Sequence, residues 1–266
     1  MGTFRCINTS LDVAGLPTAA TFCSGRTSKL ISYGLSSPPQ LVVYEISSKT
    51  VKKRLPLPDN GVPCNLTQIL WSPKDTHIAV GTSQGSVMVL NYRTYSFSRD
   101  LAGHDDLPIR SLTFKDNYLA TTDDSGRFAV YDWERESLLH CFEKLHAGPA
   151  FDGDISPINS KLMASVGLDK RLQFVDPFIP KVVSTQHLEE PGTAVAFHPM
   201  GYQLVVGHSD GSFALIDIRT WKTLLSAVHG QSSSVNSVRF FSDAMIKRMT
   251  RSTPGLNTSV GGQGTD

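Results

Sequence analysis

One short motif recurs along this chain about every 42 residues. Its copies are SQGSVMVLN (83–91), DSGRFAVYD (124–132), LDKRLQFVD (168–176) and SDGSFALID (209–217), preceded by a weaker copy, PPQLVVYE (38–45). The last residues of the four strong copies lie 41, 44 and 41 residues apart. Repeats of this length build arrays in which each unit buries its apolar surface against its neighbours.

A second pattern keeps the same interval. An apolar residue followed by a small or polar residue, and often by Pro, occurs at positions 71, 114, 155, 197 and 240, which lie 43, 41, 42 and 43 residues apart. Two independent markers with one period indicate a structural repeat.

Each unit predicts four short strands. The second and third strands meet at a polar two-residue turn, where Gly accepts positive φ and Asp bonds to nearby backbone N–H groups. The third strand is apolar on both faces, as expected of a strand covered on both sides, and no segment shows a helical period. We therefore predict an all-β propeller of four-stranded blades. The residues expected to form its structural turns are Gly85, Gly126, Asp169, Asp210 and Gly211.

The predicted domain organisation is one propeller over residues 17–241 and a flexible Gly/Ser/Thr-rich tail over 242–266. The N-terminal segment 1–16 could supply a strand that closes the propeller. Either a strained six-bladed closure or an open arc, an incomplete seven-bladed propeller, fits this pattern. The predicted blades are 17–57, 62–102, 107–144, 148–185 and 191–226, with a partial blade at 233–241.

Charge and cysteine spacing favour no nucleic-acid, membrane or metal-binding class. The formal net charge is +1, which gives no bulk attraction to a polyanion. The four cysteines form no CxxC pair and have no His pair at metal spacing, so ordinary reduced thiols are expected. We find no signal-peptide pattern and no apolar run of about 20 residues. The expectation is a cytoplasmic protein without cofactor or metal.

The sequence offers few candidates for catalysis. His104, Asp105 and Asp106 could form a metal or acid–base site, but a loop at the start of a repeat is the preferred interpretation. Asp152 and Asp154 are expected to be turn and edge residues at a strand start. No Ser lies in a G-x-S-x-G pattern. An enzyme with its site in the central channel stays a minor alternative, because the first strands are mostly apolar.

The repeat units resemble those of the WD40 family. Tyr131-Asp132, Val175-Asp176 and Ile216-Asp217 stand where WD40 repeats end the third strand with Trp-Asp, and Gly103-His104 stands where a repeat begins with Gly-His. His146 looks like a degenerate copy of that His. No repeat keeps Trp in its place, so the hydrogen-bond network of His, Ser or Thr, and Trp that rigidifies typical blades is expected to be mostly absent.

A narrower resemblance covers residues 17–240. Segments 81–104, 144–176 and 193–219 are similar to blades of the neural-precursor-cell-expressed, developmentally down-regulated family, which recruits the γ-tubulin ring complex to centrosomes and spindles. The resemblance implies a non-catalytic scaffold in mitotic microtubule nucleation, with γ-tubulin ring complex components or centrosomal proteins as partners.

Two departures limit this resemblance. The family has seven blades and a C-terminal helical segment that binds γ-tubulin complexes, whereas residues 251–266 here are rich in Gly, Ser and Thr. The resemblance therefore implies a short or truncated member. The alternative function is a generic WD40 scaffold in a ciliary, RNA-processing or ubiquitin-ligase assembly.

Exposed loops supply the candidate contact residues. We expect a partner to contact some of the polar residues next to the turns. Thr253, a Thr-Pro site that follows basic residues, is the candidate for phosphorylation. The candidate contacts are His104, Asp105, Lys170, Arg171 and His208.

Overall fold

A computed structural model describes residues 17–23, 30–36, 38–58, 64–228 and 233–240. The expected closing strand within residues 1–16, the tail at 242–266 and the phosphorylation candidate Thr253 lie outside the described residues.

Twenty strands form five antiparallel sheets of four strands, and each sheet is a meander in which consecutive strands are neighbours. No residue in the described ranges is helical, and none of them belongs to a helix that could cross a membrane. The all-β prediction is confirmed. Blade 1 consists of β1 (Pro17–Phe22), β2 (Leu30–Ser36), β3 (Pro39–Glu45) and β4 (Thr50–Pro56), and blade 2 of β5 (Leu66–Trp71), β6 (His77–Thr82), β7 (Val87–Asn91) and β8 (Ser96–Phe97).

The other three sheets repeat this arrangement. Blade 3 consists of β9 (Ile109–Lys115), β10 (Tyr118–Asp123), β11 (Phe128–Asp132) and β12 (Ser137–Phe142). Blade 4 consists of β13 (Ala150–Ile155), β14 (Met163–Gly167), β15 (Arg171–Asp176) and β16 (Lys181–His187). Blade 5 consists of β17 (Gly192–Phe197), β18 (Gln203–His208), β19 (Ser212–Asp217) and β20 (Lys222–Val228).

Neighbouring blades pack face to face through their middle strands. All five residues of β11 are buried, with Ala129 and Tyr131 facing blade 2 and Phe128 and Val130 facing blade 4. A strand with apolar side chains on both faces is stable only when both faces are covered. The sandwiched environment that the sequence predicted for third strands is thus present in blade 3.

The first strands lie side by side and are joined by hydrogen bonds between blades. The Thr113 hydroxyl of β9 donates to the carbonyl of Gly153 in β13 over 2.7 Å. In turn, Asp152 and Asp154 of β13 accept from the backbone N–H groups of Val195 and Phe197 in β17, over 2.9 and 2.8 Å. Asp152 and Asp154 were expected to be turn and edge residues. That prediction was wrong, since both lie inside an inner strand and bind the next blade.

Residues 233–240 continue the arrangement beyond blade 5, although no strand is assigned to them. The Val235 N–H donates to the carbonyl of His208 over 3.0 Å, and the Thr193 hydroxyl donates to the carbonyl of Val235 over 2.7 Å. Val235 also packs on Gly207, where a Cβ atom would lie 2.5 Å from Val235 Cγ1. The segment occupies the position of a first strand, and a sixth blade remains a prediction.

Candidate functional site

A buried polar network anchors the turn of blade 3. The His104 side chain is fully buried, and its Nδ1 lies 2.6 Å from Asp123 Oδ2. Because a carboxylate only accepts, Nδ1 carries a proton, and Nε2 lies 2.6 Å from the Thr121 hydroxyl. Asp123 Oδ1 also accepts from the N–H groups of Ser125 and Arg127. Burial raises the pKa of Asp123, but the hydrogen bonds from His104, Ser125 and Arg127 outweigh it and hold this pKa below its usual value.

Blade 4 contains a second copy of this network. His146 Nδ1 donates to Asp169 Oδ1 over 2.8 Å, and Nε2 lies 3.0 Å from the Ser165 hydroxyl. The same carboxylate accepts from the N–H groups of Ala147 and Arg171, over 3.1 and 3.2 Å. Burial lowers the pKa of His146 and favours the neutral ring that this arrangement needs.

These two networks refine one expectation. The complete network of His, Ser or Thr, and Trp was expected to be mostly absent, and the third strands lack its Trp, but blades 3 and 4 keep the hydrogen bonds of the His side chain. The hydrogen bonds run from the imidazole to a hydroxyl and to the carboxylate of the turn, so they do not require the indole. Tyr131 and Val175 fill the Trp positions by packing alone, and both are completely buried.

The predicted turn residues lie between second and third strands. Gly85, Gly126 and Gly211 have φ values of 76°, 88° and 87°, which L-residues with a side chain rarely adopt. Asp210 Oδ1 accepts from the N–H and the hydroxyl of Ser212, over 2.9 and 2.7 Å. Asp169, as described above, additionally holds the buried imidazole of blade 4.

The five partner-contact candidates divide by burial. The side chain of His104 is fully buried and His208 is 7% exposed, so neither offers a surface to a partner, and these two expectations are corrected. Asp105 is 65% exposed and pairs with Arg127. Lys170 and Arg171 are about half exposed, at 49% and 46%. These last three residues remain candidates at the edge of the turns.

Lys170 has the positive φ that a Gly residue adopts in the corresponding turns of blades 2, 3 and 5. Its φ is 58°, and left-handed backbone costs a residue with a side chain about 1–2 kcal/mol. Its ammonium group donates to the carbonyl of Glu189 over 2.8 Å and pairs with Glu190 over 3.4 Å. Both contacts are exposed and contribute little.

Lys170→Gly is therefore expected to raise the free energy of unfolding by about 1 kcal/mol relative to Lys170→Ala. The Ala variant is the matched control, because it loses the ammonium group and keeps the strained backbone. Urea unfolding of both variants gives the difference. Equal stability of the two would show that the positive φ costs nothing at this turn.

The carboxylates of the inner strand β13, Asp152 and Asp154, are the other unusual polar groups. Burial raises the pKa of Asp152 and raises that of Asp154 to about 6, while the N–H donors of Val195 and Phe197 act in the opposite direction. In the described part of the chain, no three His, Cys, Asp or Glu side chains are arranged to hold a metal ion. The hydrogen bonds of both carboxylates join blade 4 to blade 5.

The sequence repeats did not identify the loops that lie at the other end of the blades from the turns between second and third strands. These loops join the first strand to the second and the third to the fourth, and together they form what we call the lower face. Between blades 2 and 3 this face contains a groove of about 450 Å³. In its lining, Trp133 donates its indole N–H to the carbonyl of Asp116 and contacts the His77 ring at a tilted angle of 57°. In blades 4 and 5 the same loops expose large apolar side chains. A concentration of such residues between strands was a signal available in the sequence.

Comparison with known proteins identifies similar chains, although no family model matches. Human NEDD1 is 28% identical over 214 residues, which is 79% of this chain and 32% of NEDD1. Bovine NEDD1 is 32% identical over 157 residues, 58% of this chain and 24% of that protein. The Set1 complex component swd1 of Schizosaccharomyces pombe is 27% identical over 191 residues, 65% of this chain and 47% of swd1.

A solved structure supports the fold. A chain in the crystal structure of the mitotic checkpoint complex superposes with a TM-score of 0.68 at 17% identity, covering 88% of this chain and 77% of that one. The predicted WD40-type β-propeller class and the resemblance to NEDD1 are both confirmed. The chain spans about a third of the length of the NEDD1 proteins that it matches.

Proposed function

We propose that this chain is a non-catalytic WD40-repeat scaffold that acts at centrosomes and the mitotic spindle and takes part in recruiting γ-tubulin ring complexes. The observation that carries the proposal is the similarity to human NEDD1 over 79% of this chain. The similarity covers 214 residues of a chain built mostly of blades, and the loops of a propeller are the surfaces that it presents to other proteins.

The geometry of the polar groups supports a non-catalytic role. Catalysis by side chains needs an acid, base or nucleophile that can reach a substrate. His104 and His146 are instead buried in hydrogen bonds that hold turns, and Asp152 and Asp154 bind backbone N–H groups of the neighbouring blade. The proposed partners are therefore proteins, and the proposed compartment is the cytoplasm with its microtubule-organising centres.

Localisation of a tagged copy through the cell cycle tests the centrosomal part of this proposal. The expected result is a signal at the spindle poles in mitosis and co-purification of γ-tubulin complex subunits. A uniform cytosolic signal at every stage would contradict the centrosomal assignment.

The second candidate is a WD40 scaffold in another multiprotein assembly, such as a ciliary, RNA-processing or ubiquitin-ligase complex. The similarity to swd1, a component of the Set1 complex, favours keeping this alternative, since related blades occur in a different assembly. Affinity purification separates the two candidates. Recovery of γ-tubulin complex subunits supports the first, and recovery of another stable complex without them supports the second.

A further inference from the structure

The lower face of blades 4 and 5 exposes a patch of large apolar side chains. They come from four loops, at 156–162, 177–180, 198–202 and 218–221. Each side chain of the patch is between 40% and 64% exposed. We call this set the apolar patch; its members are Ile158, Phe178, Ile179, Met200, Tyr202 and Trp221. Large exposed apolar side chains collected on one face are typical of interaction sites in soluble proteins.

Several members of the apolar patch are held in place by packing on one side. Ile158 packs on Gly201 so closely that a Cβ atom there would lie 2.3 Å from Ile158 Cγ1, which joins the loops of the two blades. The Trp221 ring meets the edge of Phe174 at 5.0 Å between centroids, and Phe178 meets Tyr118 at 5.4 Å. Side chains that are rigid on one side and exposed on the other lose little entropy when a partner covers them.

The charged side chains within the four loops of the apolar patch have one sign. Its four loops contain Lys161 and Arg219 but no Asp or Glu, and exposed Lys181 and Lys222 begin the adjoining edge strands. The corresponding loops of blades 2 and 3 differ, since they contain four acidic residues, Asp75, Asp116, Glu134 and Glu136.

The two carboxylates closest in sequence to the patch are already engaged. Asp217 pairs with Arg219 over 2.7 Å, and Asp176 accepts from the backbone N–H of Phe178 over 2.9 Å. The ammonium groups of Lys161, Lys181 and Lys222 have no carboxylate partner among the ion pairs of the described residues. A ligand on the patch therefore meets apolar surface at the centre and positive charge at the edge.

We propose that the apolar patch binds a segment of a partner protein in which large apolar side chains are interspersed with Asp and Glu. The apolar side chains bury the centre of the patch, and the carboxylates meet the lysines at its rim. This is the usual division between an apolar centre and a polar rim in protein interfaces. The inference rests on the scaffold role proposed above and is independent of the centrosomal assignment.

Selection from a random 16-residue peptide library displayed on phage tests this inference with the whole chain as bait. The expected result is enrichment of peptides that combine Trp, Phe, Leu or Met with Asp or Glu. One enriched peptide, synthesised with a fluorophore, is then titrated with the chain. We expect its affinity to fall at least tenfold in Ile179→Ser and in Met200→Ser.

Two further variants sharpen this titration. Leu139→Ser is the matched control, because Leu139 is a 37% exposed apolar residue on the outer strand of blade 3, away from the patch. Its affinity is expected to stay within twofold of that of the original chain. Lys181→Glu with Lys222→Glu is expected to weaken binding and to reduce its dependence on salt.

Five outcomes would overturn the inference. Three concern peptides: failure to enrich any peptide, enrichment of basic peptides, and equal affinity in the Ile179→Ser and Leu139→Ser variants. The fourth is a dimer in sedimentation that Ile179→Ser converts to monomer, which would make a second copy the occupant. The fifth is binding of phosphatidylserine vesicles through the patch in place of peptides. Patch-dependent peptide binding by a chain that stays uniformly cytosolic would reject the centrosomal assignment alone.

Discussion

Asp123→Ala is expected to lower the free energy of unfolding by about 3–5 kcal/mol, enough to unfold a large share of molecules in a marginal domain. The Asp123 carboxylate is fully buried. It accepts from the His104 ring, from the hydroxyl and N–H of Ser125, and from the N–H of Arg127. Its removal leaves the buried His104 ring and the part-buried donors of Ser125 and Arg127 without this acceptor, and a buried donor costs about 1–3 kcal/mol when unsatisfied.

Asp124→Ala is the matched control for this experiment. Asp124 is the neighbouring acid, but its partner Arg110 is 44% exposed, so the loss should stay below about 1 kcal/mol. Urea unfolding of the two variants gives the comparison. A loss in Asp123→Ala no greater than in Asp124→Ala would contradict a structural role for the network. Because the folded-state pKa of Asp123 lies below its usual value, its stabilisation is present at neutral pH and is lost as the pH falls through that lowered pKa.

Gly126→Ala is expected to cost about 3 kcal/mol or more. The φ of Gly126 is 88°, which alone costs about 1–3 kcal/mol for a residue with a side chain. The new Cβ atom would in addition lie 2.4 Å from the carbonyl oxygen of His146 and 2.6 Å from that of Gly148. Both oxygens belong to the chain leading into blade 4, and the Gly126 carbonyl accepts from the His146 N–H over 3.1 Å. Backbone atoms of two blades would have to move apart.

Gly148→Ala provides the control, because it adds the same methyl group at a position where that group makes no close contact. Its Cβ would lie 3.8 Å from Leu168, an ordinary contact, and its φ is not in the left-handed region. We expect a change within about 1 kcal/mol. Thermal unfolding of the two variants gives the comparison, and similar midpoints would show that the turn of blade 3 can relax without cost.

The repeat predicted the blades because strand alternation and turn chemistry are local properties. The glycines at 85, 126 and 211 stand where positive φ is required, and one sequence shows them without knowledge of tertiary contacts. The hydrogen bonds of Asp152 and Asp154 could not be predicted from the sequence, because they depend on long-range contacts. Their acceptor role depends on the N–H groups of Val195 and Phe197, about forty residues later and in another sheet.

Two features of the candidate site could not be predicted from the repeat pattern. The repeats lack the Trp of typical blades, and the complete His network was therefore expected to be mostly absent. The hydrogen bonds of His104 go to Asp123 and Thr121 and do not involve that Trp. The apolar patch comes from four loops without periodicity, such as PFIP at 177–180. Only the antiparallel order of the strands places those four loops on one face of adjacent blades.

The carboxylates of β13 also have a consequence for how the molecule opens. The amide protons of Val195 and Phe197 point away from blade 5 and are held by side chains of blade 4. They can exchange with solvent only after these hydrogen bonds to blade 4 have opened. Local unfolding in native proteins proceeds in cooperative units, and these two bonds merge the inner edges of blades 4 and 5 into a single unit of that kind.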